Sequence, residues 1–288
     1  MQGKIILITG ATAGIGEVAA LELARMGATV VGVGRNPAKC TAVAERIRRE
    51  TGNPNVDFLV ADLAVQAQVR RVAAEFRQRY DRLDVLINNA GAFYMQREMT
   101  TDGHEMTWAL NHLAYFLLTD LLLDRLKASA PARIINVASD AHQGGAINFA
   151  DLEGKEKYSG WRAYAQSKLA NIMFTYELAR RLAADPTGSG VTVNALHPGF
   201  IASNFARNNV TGWRRPFGLL LTALQRIAAR SPEEGAETII YLASDPKVAG
   251  ITGQYFVKKQ VAKSNAASHD AAVAARLWTM SEQMVGNG

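Results

Sequence analysis

The chain is nearly devoid of cysteine: Cys40 stands alone among 288 residues. One thiol cannot form an intrachain disulfide, and a reducing compartment is the simple expectation. Long apolar runs are missing as well. AYFLLTDLLL and FGLLLTAL are the longest, and the first contains Asp120; both fall far short of the roughly 18 residues that mark a spanning helix. The chain enters KIILITG almost at once, with no basic region, apolar region and cleavage site ahead of it. A soluble cytoplasmic protein is expected, free to touch a membrane surface. Internal repeats, low-complexity tracts and linkers are lacking, which makes one domain spanning 1–288 the economical reading. No helix-turn-helix, zinc-finger or RNA-binding signature occurs. The net charge of +6 is scattered over RIRRE, RRVAAEFRQR and ARRLAA, mixed with acids. It reads as solvated helix faces, and no nucleic-acid partner is expected. No metal-ligand spacing stands out, so no metal is expected.

What is present is alternation. Apolar runs occur at 4–9, 28–34, 56–61, 84–88, 132–139, 191–196 and 253–257, with helix-like stretches near 15–26, 37–50, 65–80, 103–128, 160–184 and 232–244. Continuous apolar strands separated by helices predict an α/β fold: a single doubly wound, Rossmann-type domain with a seven-stranded, mostly parallel sheet and helices on both faces. Ser231, Pro232 and Glu234 spell a capping box ahead of the 232–244 helix. Residues 203–230 break the rhythm and read as an inserted lid, and 266–285 as a C-terminal helix.

TGATAGIG follows the first strand and opens the first helix. Its Gly10, Gly14 and Gly16 are spaced G-x-x-x-G-x-G rather than as the G-x-G-x-x-G fingerprint. The physics is shared: a tight turn, close backbone approach to a pyrophosphate, and a helix N-terminus that favours anions. At the end of the second strand an NAD site usually places an acid for the ribose. Here Gly34 is followed by Arg35 and Asn36, and an arginine pairs well with a 2′-phosphate. NADP is therefore expected over NAD. Asp62, after the third strand, suits the adenine amino group or a helix N-cap; both remain open. NNAG, ending in Asn89, Ala90 and Gly91, suits a tight turn against a cofactor or a plain turn.

Tyr-x-x-x-Lys occurs twice, at Tyr164–Lys168 and Tyr255–Lys259. On a helix the spacing brings side chains to one face, roughly 6 Å apart; on a strand it leaves them roughly 13 Å apart. Tyr164 and Lys168 lie in the long helical stretch WRAYAQSKLANIMFTYELARRL, and Tyr255 and Lys259 in a strand and its exit. The helical pair is the expected reacting pair, with the lysine ammonium lowering the tyrosine pKa. Ser139 ends the fifth strand, at the edge where open α/β sheets bind ligands. Asn111 interrupts the apolar WALNHLAYFLLT, and Pro198 and Gly199 turn the chain after the sixth strand.

Taken together, TGATAGIG, NNAG, Asn111, Ser139, YAQSK and HPG resemble the short-chain dehydrogenase/reductase family over nearly the whole chain. LNHLAYFLLTDLLL, Ala141–His142 after the serine, and the ending GQYFVKKQVA with ARLWTMSEQMVG are similar to its retinol-dehydrogenase-like branch. The resemblance implies hydride transfer between a nicotinamide cofactor and a carbonyl or alcohol, with a lipophilic aldehyde, ketone or retinoid-like substrate. It implies a catalytic set of Asn111, Ser139, Tyr164 and Lys168. In that set Tyr164 moves the proton, Lys168 stabilises tyrosinate and holds the ribose, Ser139 holds the substrate oxygen, and Asn111 positions a relay water. The implied cofactor contacts are Gly10, Thr12, Ala13, Gly14, Ile15, Gly16, Arg35, Asn36, Asp62, Leu63, Asn89, Ala90, Gly91, Tyr164, Lys168, Pro198, Gly199 and Ile201. Ala13 stands where NADP-binding loops often carry a basic residue, so the NADP expectation rests on Arg35. The same pattern leaves two other readings: carbon–carbon double-bond reduction of the protochlorophyllide reductase type, and a non-catalytic NADP-sensing module. Related enzymes associate as dimers or tetramers, which is the expectation for assembly.

Overall fold

The structure, a computed structural model, describes residues 1–188, 190–199 and 231–286. The expected lid at 203–230 and Ile201 lie outside the described residues.

One sheet runs through the molecule in the order β3-β2-β1-β4-β5-β6-β7-β8. Its strands are β1 (Ile5–Thr9), β2 (Thr29–Gly34), β3 (Val56–Val60), β4 (Val85–Asn88), β5 (Ala132–Val137), β6 (Val191–His197), β7 (Gln254–Val257) and β8 (Gln260–Val261). The first seven pair in parallel. Seven strands were expected and eight are found. Lys258 and Lys259 hold φ of 50° and 64°, and Val257 pairs with Gln260 in an antiparallel hairpin. Two successive left-handed residues make the tight hairpin turn that matches strand twist. Its usual Asn-Gly signal is replaced by two lysines, which hid it in the sequence.

Alternate residues of each strand feed opposite layers. Leu7, Val31 and Val33 pack with Phe76, Leu117, Leu169 and Met173. On the other face Ile6, Ile8 and Val30 pack with Leu23, Ile47 and Ile239. The first layer holds α3 (Gln66–Arg79), α5 (Ala114–Ala128), α6 (Gly160–Ala184) and α8 (Ala271–Met284); the second holds α1 (Gly14–Arg25), α2 (Pro37–Thr51) and α7 (Pro232–Ser244). From Tyr164 to Leu178 every residue of α6 is buried, as expected of a helix covered on all sides. The capping box at α7 forms as expected, with Glu234 N donating to Ser231 Oγ at 3.2 Å and Ser231 N to Glu234 Oε2 at 3.3 Å.

The stretch expected as one helix over 103–128 is built differently. Glu105 caps a short α4 (Met106–Trp108), accepting from Thr107 N and Trp108 N at 2.8 Å. Residues Ala109–Leu113 then form a π-helical turn before α5 begins. Asn111 is the middle residue of this turn, and its amide side chain makes hydrogen bonds to Ala92 and Ser167. The C-terminal helix likewise comes in two pieces. A 3-10 turn at Ala266–His269 stops at Asp270, whose carboxylate accepts from Ala272 N and Val273 N to start α8.

Candidate active site

Strand order reverses between β1 and β4, since β1 is flanked by β2 on one side and β4 on the other. A doubly wound sheet opens a crevice at such a point, outside the carboxyl ends of its strands.

The glycines at this crevice do different jobs. A Cβ on Gly10, whose φ is 68°, would stand 2.9 Å from Ala90 Cα. One on Gly16 would stand 2.5 Å from Gly10 O and also collide with Asn89 Nδ2. These two permit close packing against NNAG. Gly14 holds φ of 59°, and a Cβ there meets nothing within 4 Å. It is the glycine that leaves the crevice open. Ala13, the N-cap of α1, offers no side-chain hydrogen bond to the first turn. The leading N–H groups of α1 thus take no bond from their cap side chain, and a helix N-terminus left so suits an anion such as a dinucleotide pyrophosphate. Thr12 and Ile15 fix the loop instead: Thr12 packs where a Gly34 Cβ would go, and Ile15 lies against the α1–α2 core.

Asn89 is a brace. Its Nδ2 donates to Thr9 O at 2.8 Å and Gly10 O at 3.3 Å. Thr9, which the motif reading passed over, returns the bond: its Oγ1 accepts from Asn89 N at 2.8 Å and Ala90 N at 3.0 Å. A buried threonine at a strand end carries no pattern that a linear reading would pick out.

At the β2 end Arg35 is exposed. Burial raises the pKa of Tyr94; the Arg35 guanidinium, which hydrogen-bonds the phenol, works the other way, while Glu98 and Asp62 add to the rise. Arg35, Asp62 and Tyr94 thus come together at one mouth. Asn36, next to Arg35, caps α2, its Oδ1 accepting from Lys39 N at 3.0 Å. Asp62 closes a turn through Ala64 N at 3.0 Å, and the N-cap of α3 is Val65. Leu63 is buried in the core.

The four residues expected to react converge. Tyr164 and Lys168 share one face of α6, with Lys168 Nζ 5.7 Å from the centroid of the Tyr164 ring. The same ammonium lies 5.7 Å from the ring of Tyr115 and donates to Val137 O at 3.0 Å. Ser139, at the end of β5, hydrogen-bonds the Tyr164 hydroxyl and accepts from Ala141 N at 3.3 Å. Burial pushes the Tyr164 phenol up to about 12, and the Ser139 hydrogen bond opposes the rise. Burial brings Lys168 down to about 7. The expected lowering of the tyrosine by the lysine is not what the geometry gives. Desolvation disfavours both charges and outweighs what the pair gains, and one of the three lysine N–H donors goes to a carbonyl.

Asn111 is bound to backbone. Its Oδ1 accepts from Ala92 N and its Nδ2 donates to Ala92 O, both at 2.9 Å, with Ser167 Oγ at 3.1 Å. It clasps the loop after NNAG. A Cβ on Gly91 would stand 3.2 Å from Asn111 Oδ1 and 3.4 Å from Lys168 Nζ, so this glycine lets the two polar groups approach. After β6, His197 Nδ1 accepts from Gly199 N at 3.0 Å, and Gly199 holds φ of 90° behind Pro198. The second Tyr–Lys pair is split as expected: Tyr255 is buried on β7, while Lys259 reaches Glu237 on the surface at 2.7 Å. Among the described residues no cluster of three or more His, Cys, Asp or Glu is placed to hold a metal. No helix among them is long and apolar enough to cross a membrane.

Residues 4–213 match the family model for short chain dehydrogenases. The chain belongs to the short-chain dehydrogenase/reductase family. It is 44% identical over 287 residues to human retinol dehydrogenase 13, covering 99% of this chain and 86% of that protein. It is 44% identical over 301 residues to human retinol dehydrogenase 14, covering 99% and 87%. These relatives place it in the retinol-dehydrogenase-like branch of oxidoreductases. Among solved structures, an uncharacterized protein from Mycobacterium paratuberculosis superposes with a TM-score of 0.79 at 34% identity, covering 99% of this chain and 94% of that one. The Pseudomonas aeruginosa RhlG/NADP active-site complex gives 0.67 at 29% identity, covering 89% and 94%. The short-chain fold, with NADP held by such a neighbour, marks the crevice as a nicotinamide cofactor site.

Proposed function

We propose that this short-chain oxidoreductase is an NADP-dependent dehydrogenase/reductase of lipophilic carbonyls and alcohols, retinoid-like molecules included. The hydrogen bond between the Tyr164 hydroxyl and Ser139, beside buried Lys168, carries the reading. The nicotinamide, when bound, supplies or accepts the hydride. The rest is the work of the chain. Ser139 Oγ–H holds the substrate oxygen at a fixed distance from the hydride donor. Tyr164 gives its phenolic proton to that oxygen during reduction and takes the hydroxyl proton back during oxidation. Lys168, in its protonated form and with Nζ 5.7 Å from the centroid of the ring, stabilises the tyrosinate left behind. Asn111 and Gly91 keep the loop after β4 where Lys168 can reach the ribose. Arg35 favours a 2′-phosphate at the β2 end. The substrate class takes its support from the retinol dehydrogenases in the same branch.

NADPH consumption with retinaldehyde, decanal and benzaldehyde tests this. Turnover by the native protein should fall by roughly 100-fold or more in Tyr164→Phe, the scale of lost acid–base catalysis. Equal turnover by both proteins overturns the mechanism. Tight NADPH binding without turnover of any carbonyl favours the sensing module. Saturation of a conjugated double bond with the carbonyl left intact favours the double-bond reductase.

A further inference from the structure

The turn after Ser139 is held from far along the chain. His142 is fully buried in it. Its Nε2 lies 3.1 Å from the main-chain N–H of Asn265, which can only donate. Its Nδ1 lies 2.7 Å from the carbonyl oxygen of Ser139, which can only accept. These partners fix the ring as the neutral tautomer with its proton on Nδ1. Asn265 adds two bonds of its own, from Nδ2 to His142 O at 3.2 Å and Gln143 O at 3.0 Å. The ring of Tyr255 packs on the imidazole, centroids 5.0 Å apart.

The segment carrying Asn265 is itself tied to α6. Ser264 Oγ pairs with Tyr176 OH at 2.8 Å, Ser268 Oγ at 2.7 Å and His269 Nε2 at 3.1 Å. The His269 ring stacks on Tyr176 at 5.1 Å. Residues 264–269 therefore bridge the helix that carries Tyr164 and the turn that carries Ser139. The helix of Tyr164, through Tyr176, and the turn of Ser139, through His142, meet at this one segment.

We propose that His142 is a positioning residue for Ser139, and that Asn265 clasps it so that the C-terminal segment sets the Ser139–Tyr164 hydrogen bond. This rests on the oxidoreductase reading given above. A protonated ring would turn a second N–H toward the N–H of Asn265. Burial holds the His142 pKa below its usual value, and the Ser139 carbonyl and Asp140 act the other way. Among the described residues, Asp140 on the same turn and Tyr255 on β7 are titratable groups that face the ring, and Asn265 meets it from the C-terminal segment. Tyr255 gains a purpose here. Its buried hydroxyl has no hydrogen-bond partner among the described residues, so its ring supports the clasp.

The test uses the full chain with tyrosine labelled with 13C at Cζ, the Tyr164 resonance being assigned by its loss in Tyr164→Phe. In His142→Phe this resonance should move toward its position in Ser139→Ala. In His142→Asn, whose amide can reach Ser139 O from the Nδ1 side, it should return. NADPH-dependent turnover should follow: a kcat loss of roughly tenfold or more in His142→Phe, an unchanged KM for NADPH, partial loss in Asn265→Ala, and recovery in His142→Asn. A Tyr164 resonance unmoved in His142→Phe overturns the inference, as does a kcat loss that tracks a lowered Tm and is not restored by asparagine. If the native protein turns over no carbonyl, the reading of its function fails, and the resonance still decides the clasp.

Discussion

The side-chain Nδ2 of Asn171, on α6, donates to the main-chain carbonyl of Asn111 across 2.8 Å. That carbonyl lies in the π-helical turn, and a side chain one helix away donates to it. Asn171 also faces His112 Nδ1 at 3.4 Å, and His112 reaches Ser281 Oγ on α8 at 2.9 Å. Burial brings His112 down to about 4, so the ring is neutral across the working range. Asn171→Leu keeps the branched outline, adds some bulk and strips the donor, and Asn171→Ala, which strips the donor without the bulk, serves as its control. A buried carbonyl left alone costs about 1–3 kcal/mol. The expected outcome is a lower urea midpoint together with reduced kcat, because the turn that seats Asn111 loosens. An unchanged midpoint would show that water replaces the amide without cost.

Arg35 stands with Asp62 and Tyr94 at the β2 end, and the proposed NADP preference rests on it. Arg35→Asp should shift the NADPH-to-NADH ratio of kcat/KM by at least about tenfold toward NADH, equivalent to roughly 1.4 kcal/mol. Tm should stay near that of the native protein, since Arg35 is exposed. An unmoved ratio would remove Arg35 from phosphate recognition.

Gly14 and Gly16 should respond differently to the same methyl group. Gly16→Ala drives Cβ into Gly10 O and Asn89 Nδ2, an overpacking expected to cost about 1–3 kcal/mol and visible as a lower Tm. Gly14→Ala has room for the methyl but holds φ of 59°, a strain of about 1–2 kcal/mol. Its larger effect should be on NADPH binding, weakened because the methyl enters the cradle. Fluorescence titration beside thermal melts separates the two. If Gly14→Ala binds NADPH as the native protein does, the cradle is misplaced.

Lys168 makes stability depend on pH. Burial depresses its pKa from 10.5 to about 7, so between those values the unfolded chain binds more protons than the folded one. Stability contributed by the neutral amine is therefore full above the unfolded value and is lost as pH falls toward the folded value. Lys168→Met should lack this slope. Without added cofactor it should melt higher than the native protein at pH 7 by at least about 2 °C, the shift that 1 kcal/mol brings in a chain of this size, with the gap closing toward pH 10. Parallel melting curves across that range would contradict the assignment.

Strands, helices and the strand-end residues were legible because apolar periodicity and glycine spacing are local. Gly14, Arg35, Ser139, Tyr164 and Lys168 fall where their neighbours in sequence predict. The misses are long-range. Nothing near Asn111 announces that its amide will grip Ala92 and that Asn171 will take its carbonyl, because those partners lie on other elements. The roles of Thr9 and His142 are set by residues far away in the chain. The expected tyrosine–lysine coupling misjudged burial, which spacing along a helix does not reveal. β8 was missed because lysines took positions where asparagine and glycine are usual.

That short strand decides what the sheet can offer another molecule. A parallel sheet ending at β7 would present a bare row of N–H and C=O groups to any extended chain nearby. β8 pairs with that row, and as Gln260–Val261 it is too short to serve as a template in turn. Lys258 and Lys259 occupy the hairpin turn between them, and charge at a sheet margin discourages further strand addition. The cover reaches the last two residues of β7, Phe256 and Val257, so the outer backbone beside buried Phe256 is already spoken for within the chain.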